Sequence, residues 1–96
     1  MRMYNPPHPG EFIREVYLEP FNIGYRSVAA KLKVSPSTFQ RLIKGKSNIS
    51  PEMALRLYKV FGRSPESRLA MQDNYNLWHV RKLINLDEIE PLAIFA

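Results

Sequence analysis

The run from Ser37 to Arg41 carries the side chains best suited to chemistry: Ser37, Thr38, Gln40 and Arg41. On a helix turning about 100° per residue, Phe39, Leu42 and Ile43 define one buried direction. Ser37, Arg41 and Lys44 then point nearly opposite, with Thr38 and Gln40 on the flanks. Such a face both donates and accepts hydrogen bonds and holds no acid, which suits a major groove lined by phosphates. A guanidinium at Arg41 matches guanine O6 and N7, and a carboxamide at Gln40 matches adenine N6 and N7. Ser37 and Thr38 are short, sit in the first turn, and reach a base only if the helix enters N-terminus first. The plain alternative for each is a solvated helix face.

Contacts that position without reading sequence are expected at the edges of this unit. Tyr25 and Arg26 open the preceding helix, where free amides, a phenol or a guanidinium can grip phosphate. Lys44, and then Lys46, Ser47 and Asn48 in the loop after Gly45, lie where the other strand's backbone would pass, although ordinary turn chemistry explains that loop too. Gly45-Lys46-Ser47 is not a nucleotide phosphate loop, because the upstream glycine and preceding strand are missing. The charge distribution agrees with a polyanion. Of a net charge of +5, residues 24–48 hold Arg26, Lys31, Lys33, Arg41, Lys44 and Lys46 and no acid, while the rest is nearly balanced.

The elements that must position these groups are legible from punctuation. Ser35-Pro36, Ser50-Pro51 and Ser64-Pro65 each place an N-cap hydroxyl before a proline preset for the first helical turn. Gly45 and Gly62 stand where two helices should stop. The apolar spacing predicts five helices: Pro9 to Leu18 (Phe12, Ile13 and Val16 inward), Tyr25 to Leu32 (Val28, Ala29, Leu32), Pro36 to Lys44, Pro51 to Phe61 (Met53, Ala54, Leu57, Val60, Phe61), and Pro65 to Ile84. Pro20 ends the first. No alternation long enough for a strand occurs, so the fold class is all-α.

With 96 residues, 45% of them hydrophobic, the expectation is one domain, 1–96, of which the helix-turn-helix spans 25–44 and the C-terminal helix and tail 64–96. The absence of Cys excludes disulfides, thiol chemistry and Cys-based zinc sites, and fits a reducing cytoplasm. No run is long and apolar enough for a membrane span, and Met1 to Gly10 is too polar and Pro-rich for a secretion signal. Catalysis finds little support. His8 and His79 have no carboxylate at ligand spacing; His8 is expected to start the first helix and His79 to lie on an exposed face. Glu11 and Glu15 suit a helix dipole rather than acid-base work. Neither enzyme activity, metal nor cofactor is expected.

Helices two and three are joined only by Lys33-Val34-Ser35, a link so short that they must cross steeply. Val34 plugs the angle and Ala29 is small where the third helix approaches. The stretch from Ser27 to Lys44 resembles the helix-turn-helix of the phage-repressor-like (XRE) family, with apolar residues at Val28, Leu32, Val34, Phe39 and Leu42 and the small one at Ala29. Lys33 departs from the resemblance, since the family usually has a left-handed glycine there; a side chain costs on the order of 1 kcal/mol.

The likeness widens from about His8 to Leu77. His8-Pro9-Gly10-Glu11-Phe12-Ile13-Arg14-Glu15, Leu18-Glu19-Pro20, Ile49 to Leu57 and Phe61 to Glu66 resemble the HigA/VapI antitoxins. The resemblance implies a dimer that represses its own operon and neutralises a RelE-like ribonuclease toxin. The family commonly has an aromatic pair where this chain has Ser67-Arg68, in the region that supports its C-terminal packing and dimer.

The last helix and tail carry Leu69, Tyr75, Leu77, Trp78, Leu83 and Ile84, candidates for a dimer or partner interface, followed by Ile89, Leu92, Ile94 and Phe95. A symmetric dimer, a partner groove, or folding back on the core would each cover this surface, and Glu88 to Pro91 could add a strand to a partner's edge. Three functions stay open: an antitoxin that binds double-stranded operator DNA, a free-standing repressor without a toxin, and a protein-binding module that no longer reads DNA.

Overall fold

The computed structural model describes residues 5–95; residues 1–4, at the start of the Met1–Gly10 stretch, and Ala96 lie outside them. The architecture is all-helical, as the sequence predicts. Helix α1 (Pro9–Ile13) is opened by His8, whose Nδ1 accepts from the Gly10 amide at 2.9 Å. It continues as a π turn over Arg14–Leu18, closed by the Glu19 amide donating to the Arg14 carbonyl at 2.9 Å.

That wider turn overturns one expectation. Ile13 is buried and Phe12 half-buried, but Val16 is 41% exposed. The i→i+5 bond adds a residue to the turn and shifts every later side chain around the axis. Tyr17 and Leu18 take the inward positions instead.

Helices α2 (Tyr25–Leu32), α3 (Pro36–Ile43), α4 (Pro51–Phe61) and α5 (Pro65–Arg81) follow. All three Ser-Pro starts work as expected: the hydroxyls of Ser35, Ser50 and Ser64 accept from the amides of Thr38, Met53 and Ser67 at 3.2, 3.1 and 3.1 Å. Helix α3 ends one residue short of Lys44, which caps it. Helix α5 ends three short of Ile84, where the Leu83 amide tightens onto the Val80 carbonyl at 2.8 Å.

Two helix ends share one device. At the end of α2 the Lys33 amide donates to Ala30 (3.2 Å) and the Val34 amide to Ala29 (3.1 Å). At the end of α3 the Gly45 amide donates to Leu42 (3.0 Å) and the Lys46 amide to Arg41 (2.9 Å). Both are Schellman caps, which require a left-handed residue at their centre. Gly45 supplies φ 75 without strain, whereas Lys33 adopts φ 62 and ψ 41 with a side chain attached.

Helices α1 and α2 pack on α3, α4 on α2 and α5, and α5 on α1. Their inner faces form one core of Ile13, Leu18, Val28, Ala29, Leu32, Phe39, Leu42, Ile43, Ile49, Ala54 and Leu57; Met53, Val60, Phe61 and Leu69 pack partly buried against it. The approach of α1 to α3 is set by Gly10, where a Cβ would overlap the carbonyl oxygen of Leu42. Arg68, in place of an aromatic, is fully buried, lies over the Tyr17 ring at 5.9 Å and donates from Nη2 to the Gly62 carbonyl at 3.4 Å.

Beyond the core the chain is drawn out. Residues 79–95 are exposed, with short 3-10 turns at Leu86–Glu88 and Ala93–Phe95. The radius of gyration is 16.6 Å, against about 12–13 Å for a compact chain of this length.

Replacing Lys33 by Gly should raise stability by about 0.5–1 kcal/mol, because left-handed strain exceeds the added freedom of the unfolded chain. Urea unfolding measures it, and a less stable variant would show that Lys33 is not strained. Gly10→Ala, which overpacks a backbone contact, should cost about 1–3 kcal/mol in the same assay.

Candidate nucleic-acid interface

The outward face of α3 is formed because its inward face is fully occupied. Phe39, Leu42 and Ile43 are buried beneath α1 and α2, which leaves Ser37 and Arg41 exposed and Thr38 and Gln40 half-buried. Ser35 ties the first turn together: its hydroxyl accepts the Thr38 amide and donates to Thr38 Oγ1 at 2.8 Å, with Ser37 Oγ 3.4 Å away. Thr38 keeps its own hydroxyl proton to offer.

The edges of the unit flank this helix. Tyr25 is half-buried against the core, and the Arg26 guanidinium lies 5.3 Å from its ring centroid, exposed at the uncapped N-terminus of α2. Beyond α3, Lys44, Lys46 and Asn48 are exposed and Ser47 half-buried. Among the described residues, none of Arg26, Lys31, Lys33, Arg41, Lys44 and Lys46 is ion-paired; the ion pairs are Arg14 with Glu15 and Glu19, and Arg56 with Glu52. These cations are not tied up in ion pairs; an acid close to the segment is Glu11, whose carboxylate lies against Gly45 on the α1 side, away from the α3 face of Ser37 and Arg41.

Two supporting side chains escaped the sequence reading, and a third caps α1 as expected but is buried more deeply than a cap requires. Arg56 of α4 donates from Nη1 to the Leu32 carbonyl at 2.7 Å, holding the last turn of α2 while Glu52 grips its other nitrogens at 2.7 and 3.1 Å. Gln72 of α5, only 3% exposed, accepts the Ile49 amide at 2.8 Å and donates to Asn48 and Asn76. The signal for Gln72 is a polar residue on the stripe of α5 that also carries Leu69, whereas nothing local marks Arg56.

The third is His8. It is 1% exposed, its ring edge-on to Tyr75 at 5.0 Å. Its Nε2 turns towards the Ser47 backbone without a well-formed hydrogen bond. Burial pushes its pKa below the ordinary 6.5, while Ser47 and the Glu11 carboxylate pull weakly the other way.

The expected partner residues divide. Leu69 packs on the core, and Tyr75 sits between His8 and His79, 4.4 Å from the latter ring. Trp78 is half-buried beneath Lys82 Nζ at 4.8 Å. Leu77, Leu83 and Ile84 are exposed, Leu83 by 84%, and continue into exposed Leu86, Ile89, Leu92, Ile94 and Phe95. Among the described residues no cluster of His, Cys, Asp and Glu could hold a metal ion, and no helix is long and apolar enough to cross a membrane.

The profile of the helix-turn-helix family matches residues 17–67. The chain is 36% identical over 93 residues to the uncharacterized HTH-type transcriptional regulator YddM of Escherichia coli K12, covering 97% of this chain and 98% of that one. Among solved structures it is similar to PA4674 of Pseudomonas aeruginosa in complex with its operator DNA, at a TM-score of 0.82 and 35% identity over 96% of this chain and 99% of that one. The Pseudomonas aeruginosa antitoxin HigA with the higBA promoter matches at a TM-score of 0.80 and 36% identity, over 91% and 98% of the two chains.

The lowered pKa of His8 fixes a sign. Below pH 6.5 the unfolded chain takes up a proton that the folded chain refuses, so the stabilisation present above that value is lost as pH falls through the folded pKa. Protonated Nδ1 would also face the Gly10 amide as a second donor. Thermal melts between pH 7.5 and 5 should show a declining Tm that flattens in His8→Asn, which keeps a capping oxygen without titrating. Identical slopes in both proteins would remove His8 as the cause.

Proposed function

The chain belongs to the phage-repressor-like (XRE) helix-turn-helix family, and from that membership and the geometry of α3 we propose that it is an antitoxin that binds operator DNA as a dimer. The observation that carries the reading is the outward, acid-free face of exposed Ser37 and Arg41 and half-buried Gln40, flanked by cations outside any ion pair. Helix α3 enters the major groove, Arg41 pairing with guanine and Gln40 with adenine, while Ser37 and Thr38 reach bases from the first turn. Tyr25 and Arg26 at one edge, and Lys44, Lys46, Ser47 and Asn48 at the other, hold the phosphates. Backbone contacts supply affinity and register, and the α3 face supplies discrimination.

The apolar end of α5 and the tail support the second half of the reading. The end of α5 and the turn after it leave Leu77, Val80, Leu83 and Ile84 exposed, and a twofold axis through such a surface buries the same residues from both protomers. In a dimer the two α3 helices then read half-sites about 34–36 Å apart. The remaining surface neutralises a RelE-like ribonuclease toxin in the cytoplasm, and the complex represses its own promoter. The HigA likeness over nearly the whole chain supports this. A repressor without a toxin is the second reading; the YddM relative is named only as an HTH-type transcriptional regulator.

Arg41→Ala should weaken operator binding by roughly 1–3 kcal/mol and relax one base position in a mobility-shift series. Unchanged affinity would mean that α3 does not present Arg41 to the groove. Lys46→Ala should weaken all sequences alike and lower the salt slope by about one unit. Co-expression with the reading frame beside the gene separates antitoxin from repressor. A co-eluting complex and relief of growth arrest support the first; a promoter shift without any complex leaves the second.

A further inference from the structure

The loop that carries Lys46, Ser47 and Asn48 is not held by α3 alone. It is clamped from behind by Gln72, which lies on a different helix and faces away from solvent. The orientation of the Gln72 carboxamide is fixed, because the Ile49 amide at 2.8 Å can only donate and must meet Oε1. Nε2 then has two protons, and both are used: one on Asn48 Oδ1 at 3.2 Å, one on Asn76 Oδ1 at 3.1 Å. That bond in turn orients Asn48. Its oxygen is turned inward to Gln72, which leaves the amide nitrogen, with two protons, on the exposed side of a residue at the edge of the basic segment.

We propose that Gln72 is a positioning residue for DNA binding: by accepting the Ile49 amide and donating to Asn48, it aims the Asn48 Nδ2 protons at a backbone phosphate. The proposal rests on the operator-binding reading above and adds to it how one phosphate contact is polarised. A free asparagine amide would present its oxygen to the phosphate as readily as its nitrogen, and the oxygen repels. Removing that ambiguity converts a neutral side chain into a fixed donor. Because the donor is neutral, its contact neutralises no phosphate charge, so it contributes to affinity without adding to the salt slope, unlike that of Lys46. The route also joins α5 to the DNA-facing loop through side chains alone, since Asn76 lies on the same helix and borders the exposed Leu77 and Val80.

The test is a double-mutant cycle on the full-length protein, with operator affinity measured across a salt series and thermal melts alongside. Asn48→Ala should weaken operator binding about three- to tenfold, the range for one neutral hydrogen bond, with the salt slope unchanged. Gln72→Met should produce the same loss, and the double variant should be no weaker than Asn48→Ala alone. Gln72→Glu keeps an acceptor for the Ile49 amide and serves if the methionine variant does not fold. It draws the Asn48 nitrogen inward and its oxygen outward, so affinity should fall in the native background and much less when residue 48 is alanine. Losses that multiply in the double variants, or a Gln72 variant that lowers Tm while leaving operator affinity intact, would reduce Gln72 to a packing role and overturn the proposal. If Lys46→Ala also leaves the salt slope untouched, the loop does not meet DNA and the operator-binding geometry itself fails. If Lys46→Ala behaves as expected and Gln72→Met does not, only the role of Gln72 fails.

Discussion

Gly10 lies so close to the Leu42 carbonyl that a Cβ would overlap it, and the pose of α3 follows from that contact. A side chain at residue 10 would push α1 away from the last turn of α3 and open the core around Ile13, Leu42 and Ile43. With hydrogen there instead, α1 lies directly on the helix that carries the outward polar face. The same helix start is capped by His8, and the ring of His8 is packed in turn against α5 through Tyr75. One short segment thus fixes α3 from behind and couples it to the C-terminal helix. A surface that must match a duplex to within a hydrogen-bond length needs such support, since the reading side chains are only as well placed as the helix beneath them.

The strained turn shows which term dominates. Holding Lys33 in a left-handed conformation costs on the order of 1 kcal/mol. Burying each large side chain of α3 returns roughly 1.5–3 kcal/mol, and Phe39, Leu42 and Ile43 are all buried. The Schellman cap at Lys33 determines the angle at which α3 meets α2, so the strain is small beside the packing it makes possible. Arg56 reinforces the same corner from α4 by accepting none of the flexibility of the turn and donating to the Leu32 carbonyl instead. The corner is held by a cap, a buried face and a cation at a helix C-terminus, each compatible with the others.

Much of this was legible because the signals were local. Ser35, Ser50 and Ser64 cap within three residues of themselves, and helical spacing around Phe39 identified the buried face of α3. The departure of Lys33 from glycine was readable for the same reason, since left-handedness is a property of one residue. Val16 was misread because the helical period assumes 3.6 residues per turn, and a single π turn breaks that count with no residue type announcing it. Gln72 and Arg56 bond to partners 23 and 24 residues away, so their roles depend on how α4 and α5 dock. Arg68 was noted as a departure from an aromatic. Its full burial over Tyr17 depends on the same π turn that brings Tyr17 inward.

The C-terminal third then poses the opposite problem from the core. Helix α5 is anchored by Arg68, Leu69, Gln72 and Tyr75 in its first three turns, and past Trp78 every described residue is exposed. Leu83 and Ile94 at 84% exposure and Phe95 at 75% are apolar groups held in water, each forgoing on the order of 1.5–3 kcal/mol that burial would supply. A radius of gyration well above that of a compact chain says the arm is displaced from the body rather than loosely folded on it. Because the anchored half of α5 carries Gln72, which grips the loop beyond α3, the helix has one end inside the DNA-facing framework and the other in open apolar surface. Any partner that seats on the outer half must bear on a helix whose inner half positions that loop, and the two surfaces are mechanically one element.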